Sequence, residues 1–186
     1  MEIVANLHSL LKMIGRKDIS MAVTGKIDRK YMAHYIDAGS LCGGLTPKYE
    51  RLGKDLEEYN IELNPDTETS KNILGESTFK HNGYEVSSDA DPFYADTTSD
   101  LFGALQKIVD GRLKDDNLKT KAVEVHLWTE ATAGKYEAYQ QDCYVVPTSY
   151  GGDTSGYQIP FTVNYVGERV KGKFDISSGT FTADSE

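Results

Sequence analysis

Two cysteines, Cys42 and Cys143, are all that the 186 residues carry. They stand far apart and outside any C-x-x-C spacing, so they give no thiolate metal cluster, and two free thiols fit a reducing compartment. Positive charge is short as well: Lys and Arg number 20 against 29 Asp and Glu, a formal net charge of -9. Proteins dedicated to DNA or RNA draw their affinity from neutralising phosphates, and this balance argues against such a role. Long apolar runs are missing. Near the N-terminus His8, Ser9 and Lys12 interrupt Leu7, Leu10 and Leu11, so no stretch there has signal or membrane-spanning length. With no Asn-X-Ser/Thr sequon either, secretion by the standard route is not expected.

Catalytic signatures are equally scarce, and each near miss fails at a named residue. Gly53 and Lys54 suggest a phosphate-binding loop, but Asp55 stands where Ser or Thr is needed and Lys48 where the first Gly belongs. Asp89 and Asp91 suggest a calcium loop, yet Phe93 and Tyr94 occupy the positions that require a ligand and a sharp glycine turn. His8, His34, His81 and His126 are dispersed, with no H-E-x-x-H spacing. Ser149 precedes Gly151 and Gly152 without a G-x-S-x-G elbow, which makes these turn residues rather than a nucleophile and its oxyanion hole. The expectation is a protein that is not an enzyme, with no catalytic, metal or cofactor residue. The 12 tyrosines could stack on sugars, but on alternating strands they more often fill a core edge or a subunit contact.

What is present is strand pattern. Tyr31, Ala33 and Tyr35 alternate with Met32, His34 and Ile36, a first strand with little polarity on either face. Tyr59, Ile61 and Leu63 alternate with Asn60, Glu62 and Asn64 and predict a second, broken by Pro65 and Asp66. From Asn64 to Asp91 runs a polar excursion anchored by Ile73, Leu74 and Phe79. Asn82-Gly83 is the strongest hairpin-turn signal within it. One helix is predicted, because Leu101, Phe102, Leu105, Ile108 and Val109 form a single stripe, with Thr98 or Ser99 as cap and Gly111 closing it. Val123, Val125 and Leu127 mark a further strand and Tyr136 to Val146 another. The clearest alternation, Tyr157 to Tyr165 and then Val170 to Ile176, reads as a hairpin turned by Gly167 and Glu168, one register burying both apolar rows. Strands at short spacing with one helix between them predict a mainly β fold, a β-sandwich or partly closed barrel with one flanking α-helix.

Residues 1–20 read differently. Ile3, Leu7, Leu10, Leu11 and Ile14 share one helical face that ends at Gly15. The rival and preferred reading makes this stretch an extension upstream of a native start at Met21, since Gly15 to Asp18 could be encoded by purine-rich codons resembling a ribosome-binding site. Residues 21–186 then form a single domain.

Three stretches together resemble one family. They are Leu52-Gly53-Lys54-Asp55-Leu56-Glu57-Glu58; Asn64-Pro65-Asp66 with Lys71-Asn72-Ile73-Leu74-Gly75-Glu76; and Tyr150-Gly151-Gly152-Asp153 through Ile159-Pro160-Phe161 to Gly167-Glu168-Arg169-Val170-Lys171-Gly172. In order and spacing they resemble the major tail proteins, or tail tube proteins, of long-tailed bacteriophages with non-contractile tails and of prophages in Gram-positive hosts. The resemblance covers most of Met21 to Thr182. It implies a structural virion protein that polymerises as stacked hexameric rings around a channel for the genome, with tape-measure, tail-tip and tail-terminator proteins as further partners. It also implies assembly in the host cytoplasm, residence in the virion tail, and passage of DNA without specific binding, with no membrane role. In such a tube the Asn64 to Asp91 excursion is expected to reach a neighbouring subunit or ring, and deletion of Thr67 to Ser88 is expected to leave a folded protein that no longer polymerises. A neutral or acidic channel wall would let DNA slide where a basic one would trap it. The alternative from a different class is a monomeric or dimeric β-sandwich module that binds sugar or peptide through its tyrosines.

Overall fold

The structure, a computed structural model, describes residues 25–132 and 134–184. The reading of residues 1–20 lies outside them. A single antiparallel sheet dominates, built from β1 (Met32–Asp37), β2 (Tyr49–Leu52), β5 (Ser87–Ala90), β6 (Lys119–Thr132), β7 (Lys135–Pro147), β10 (Phe161–Asp175) and β11 (Thr180–Ala183). Its order is β11-β10-β7-β6-β1-β2, with β5 alongside the first half of β10. Two small hairpins stand apart from it, β3 (Pro65–Lys71) with β4 (Ser77–Tyr84), and β8 (Gly151–Asp153) with β9 (Gly156–Gln158). Among the described residues there is one α-helix, α1 (Asp100–Gly111), which packs against the main sheet, so the fold is a curled, partly closed half-barrel with a flanking helix.

Each face of the sheet carries its own apolar cluster. On one face Ile36, Ala122, Cys143, Val145, Phe161 and Val163 meet the helix stripe of Leu101, Ala104, Leu105, Ile108 and Val109. On the other Ala33, Tyr35, Val123, Val125, Ala138 and Phe174 are buried against one another, with Tyr49, Tyr136 and Phe181 at the margin. Successive residues of a strand point to opposite faces. That is why Tyr35 and Ile36, or Ala122 and Val123, serve different clusters, and why β1 is buried along almost its whole length.

The helix begins where Ser99 Oγ accepts from Phe102 N at 2.9 Å. Glu50 of β2 reinforces this end, taking a hydrogen bond from Ser99 Oγ (2.6 Å) on one carboxylate oxygen and from Leu101 N (2.9 Å) on the other. A carboxylate there satisfies helix N–H groups that have no partner within the helix. At the other end Gly111 is still helical, and Arg112, with φ +47°, takes the left-handed cap.

Three sequence expectations are corrected. First, Gly167 and Glu168 do not turn a hairpin, because β10 runs unbroken from Phe161 to Asp175. Val166 faces Asp142 and Val170 faces Gln140, so four steps on β10 match two on β7. Gly167 (φ +69°), Glu168 and Arg169 form a bulge opposite Gln141, which donates to Gly167 O at 3.1 Å. The two apolar rows lie on opposite faces, Phe161 and Val163 in the helix-side cluster and Phe174 in the other. Val170 and Ile176 are exposed. Second, Asn82-Gly83 is not a turn. Asp66 pairs with Gly83 and Thr67 with His81, which leaves Asn82 as an extra residue within β4, and the chain reverses instead at Asn72 to Gly75. Third, Tyr59 to Leu63 forms no strand. Only Glu62 bridges to Ser87, and the strand near this position is β2, whose alternation is just four residues long.

Candidate functional site

The Tyr59 to Asn64 segment starts from an apolar alternation and ends as a wall. Arg29 Nη2 holds Tyr59 O at 2.8 Å, and Glu62 and Ser87 exchange two backbone hydrogen bonds of 2.8 and 3.0 Å. Asn64 Nδ2 then reaches Glu85 O and Ser87 Oγ, at 3.0 and 3.1 Å. These bonds fix the base of the β3–β4 hairpin against the sheet.

Beyond that base the hairpin stands in solvent. All of β3 is exposed, and so is all of β4 except Gly83. Its end is nevertheless ordered by Asn72, whose Oδ1 accepts from Leu74 N (2.9 Å) and Glu76 N (3.0 Å) while Gly75 supplies a positive φ of +79°. The turn leaves Ile73 fully exposed, Leu74 at 77% and Phe79 at 66%. The three residues read as anchors of this excursion are therefore among the most solvent-facing apolar side chains of the described residues.

Between the Tyr59 to Asn64 wall and the helix-side face of the sheet lies a cleft of about 370 Å³. Its sheet side presents His34, Ala122, Glu124, Tyr139, Gln141 and Tyr165; its outer side presents Ile61, Leu63, Tyr84 and Val86. At the inner end three hydroxyls converge. Ser88 Oγ donates to Tyr59 OH at 2.7 Å and lies 3.3 Å from Tyr165 OH, and the two phenols are 3.4 Å apart. Burial raises the pKa of both phenols, that of Tyr59 well above its usual value.

Toward the mouth, Glu124 Oε1 meets His126 Nε2 at 2.6 Å and Arg169 Nη2 at 2.7 Å. Burial pushes the Glu124 carboxyl up, but the hydrogen bond from His126 and the charge of Arg169 outweigh it and hold the group below its ordinary value. The Arg169 guanidinium also sits 4.2 Å over the Tyr139 ring, whose hydroxyl donates to Glu137 at 2.8 Å. His126 stacks on Trp128 with centroids 4.3 Å apart. His34 is buried beside Tyr59, and burial, with Arg29 second, lowers its pKa to about 4. Among the described residues every buried side-chain N or O atom has a hydrogen-bond partner.

The near-miss motifs are dispersed over the molecule. Lys54 pairs with Asp96 at 2.5 Å, Asp89 accepts from Thr162 at 2.7 Å, and Ser149 is exposed beside the β8–β9 hairpin. His81 is exposed on β4 and meets the Tyr84 ring edge to face, while His8 lies outside the described residues. No three His, Cys, Asp or Glu side chains among the described residues could together hold a metal ion, and no helix there is long and apolar enough to cross a membrane. His34 lines the cleft, and His126, far from it in sequence, bonds to Glu124 of the cleft lining. The signal that could have found it was the row Glu124, His126 and Trp128, too rich in large side chains for a plain solvent face.

The sheet also ends in open edges. β2 is one terminal strand of the sheet and β11 the other. The outer edge of β10 is covered by β5 at Phe161 to Asn164 and by β11 at Gly172 to Asp175, with the bulge between.

No family model and no curated protein matches this sequence. Among solved structures, a chain described as the PVC sheath/tube terminator of an extracellular contractile injection system in its extended state, from cryo-EM, superposes with a TM-score of 0.46 at 9% identity. The superposition covers 81% of this chain and 99% of that one. A likeness of that size settles neither family nor function.

Proposed function

We propose that this chain is a non-catalytic structural subunit of a tail-type tube, one that assembles with copies of itself. The observation that carries the reading is the β3–β4 hairpin, which is ordered at its tip, pinned at its base and exposes Ile73, Leu74 and Phe79. Soluble proteins rarely hold contiguous apolar side chains away from every core unless a partner covers them. Two further features support it. The sheet closes only partway and leaves strand edges that a neighbouring sheet can extend. The sequence also resembles the tail tube proteins of non-contractile phages over the stretches quoted above.

On this reading 21–186 acts as one assembling domain, hexameric rings stack into the tube, the genome passes without specific binding, and tape-measure, tip and terminator proteins complete the tail. Assembly belongs to the host cytoplasm and the finished protein to the virion tail. The acidic total of -9 suits a wall that does not hold DNA. The sugar- or peptide-binding alternative finds less support, because the converging hydroxyls of Tyr59, Ser88 and Tyr165 and the Glu124–Arg169 pair already bond to one another.

Electron microscopy of concentrated protein beginning at Met21, with the full chain beside it and mass measured by light scattering, tests the reading. Rings or tubes are expected. A monomer at every concentration that binds a sugar or peptide saturably would replace it with the binding-module reading.

A further inference from the structure

The hairpin tip and the cleft are complementary, and one chain cannot bring them together. The base of the hairpin forms the rim of the cleft, since Leu63 and Tyr84 line it. Seven residues of β3 at about 3.3 Å each carry Ile73 roughly 23 Å from that rim. The tip touches nothing in its own subunit, with Ile73 fully exposed.

We propose that the cleft receives the Ile73-Leu74 tip of a second copy of this chain. The proposal rests on the self-assembly reading and specifies which surfaces meet. Three observations support this occupant. The outer wall of the cleft is apolar, from Ile61, Leu63 and Val86, and Leu63 is half exposed. The hydroxyls of Tyr59, Ser88 and Tyr165 and the charges of Glu124 and Arg169 are already paired with one another, so the vacant volume suits aliphatic side chains better than a ligand that must draw on those groups. Finally, donor and receptor are different patches on one chain. Such a contact is heterologous and propagates from copy to copy, closing into a ring or running on as a filament. A seated tip lies against the base of the receiving copy's own hairpin, at Tyr84 and Val86, so each contact braces the next donor.

Disulfide trapping tests the pairing on the whole chain. Leu74→Cys and Leu63→Cys are made separately, mixed in equal amounts at the concentration used for microscopy, and oxidised. Both sites are exposed, so the fold is retained; native Cys143 is fully buried, and the partly exposed Cys42 is replaced by Ser in both variants. The expected product is a heterodimer crosslinked between Cys at 74 and Cys at 63, at least about tenfold above either homodimer, and replacement of Ile73 by Asp in the donor abolishes it. Three results overturn the proposal: homodimers in excess, statistical crosslinking, or a heterodimer indifferent to the Asp. If wild-type rings still form under those conditions, only the tip-to-cleft contact falls. If neither rings nor crosslinks form, the assembly reading falls with it.

Discussion

Tyr49 of β2 meets Phe174 of β10 edge to face, with ring centroids 5.7 Å apart, although three strands separate β2 from β10 in the sheet. A flat sheet would hold these strands about four strand spacings, or roughly 19 Å, apart. The contact therefore measures the curl. Tyr35 closes the same cluster with its ring 4.6 Å from Phe174, and Gln140 Nε2 donates to Tyr49 OH at 2.6 Å.

Truncating Phe174 to Ala is accordingly expected to cost about 3–5 kcal/mol, because it removes a fully buried aromatic that joins distant strands and leaves a cavity. Urea unfolding of the two proteins gives the difference. A loss below about 1 kcal/mol would mean that the strands on this face are not held together through Phe174.

The hairpin behaves in the opposite way. Residues 67–82 contribute no core side chain, and Asp66 and Gly83 face each other, so a short turn can replace them. Ser88, in contrast, is buried, pairs with Val163 and bonds to Tyr59, so the longer deletion through Ser88 would damage the sheet. Removing only 67–82 should change the unfolding free energy by no more than about 1 kcal/mol while abolishing rings. Normal tubes from this variant would show that the hairpin is dispensable for assembly.

Acid should unfold the protein in a window set by His34. Its folded pKa of about 4 lies below the ordinary 6.5, so between those values the unfolded chain binds a proton that the folded chain refuses. Stability is therefore full above about pH 6.5 and falls as pH drops toward 4, by up to roughly 3 kcal/mol. The depressed Glu124 carboxyl adds a loss below its own ordinary value of 4.5. Comparing urea midpoints at pH 7 and pH 5 for wild type and His34→Gln isolates the histidine. If both proteins show the same slope, the assignment to His34 fails.

Arg169 shields the Glu124 carboxylate while half exposed itself. Arg169→Ala should cost on the order of 1–2 kcal/mol, below a fully buried pair because solvent screens the guanidinium. Arg169→Lys should recover only part, since an ammonium does not stack flat on the Tyr139 ring. Full rescue by Lys, read from thermal melts, would assign the effect to charge alone.

Local patterns with one strong period were legible in the sequence. β1, β6 and the helix with its Ser99 cap formed where alternation or stripe indicated, because both faces of β1 and one face of the helix are buried as the residues require. Legibility stopped where a glycine had two uses. Gly167 suits a type II′ turn and a bulge equally well, and the choice falls to β7, which runs alongside both halves of β10 and keeps them in line. Asn82-Gly83 was similarly outcompeted by Asn72, whose side chain closes a turn of its own. The Tyr59 to Leu63 alternation was real, but it serves a cleft wall instead of a ladder, and no local signal separates the two. The cleft itself joins segments more than 100 residues apart, Tyr59 and Tyr165 among them, which lies beyond any local pattern.

The bulge at Gly167 to Arg169 adds an even number of residues to β10 relative to β7. Evenness conserves parity: odd-numbered Phe161 and Val163 look to the helix, and even-numbered Phe174 looks into the curl. Homologous chains can thus vary this site by two residues and keep both interiors filled. A change of one would swap inside for outside along everything downstream, so length drift at this point is expected to come in pairs.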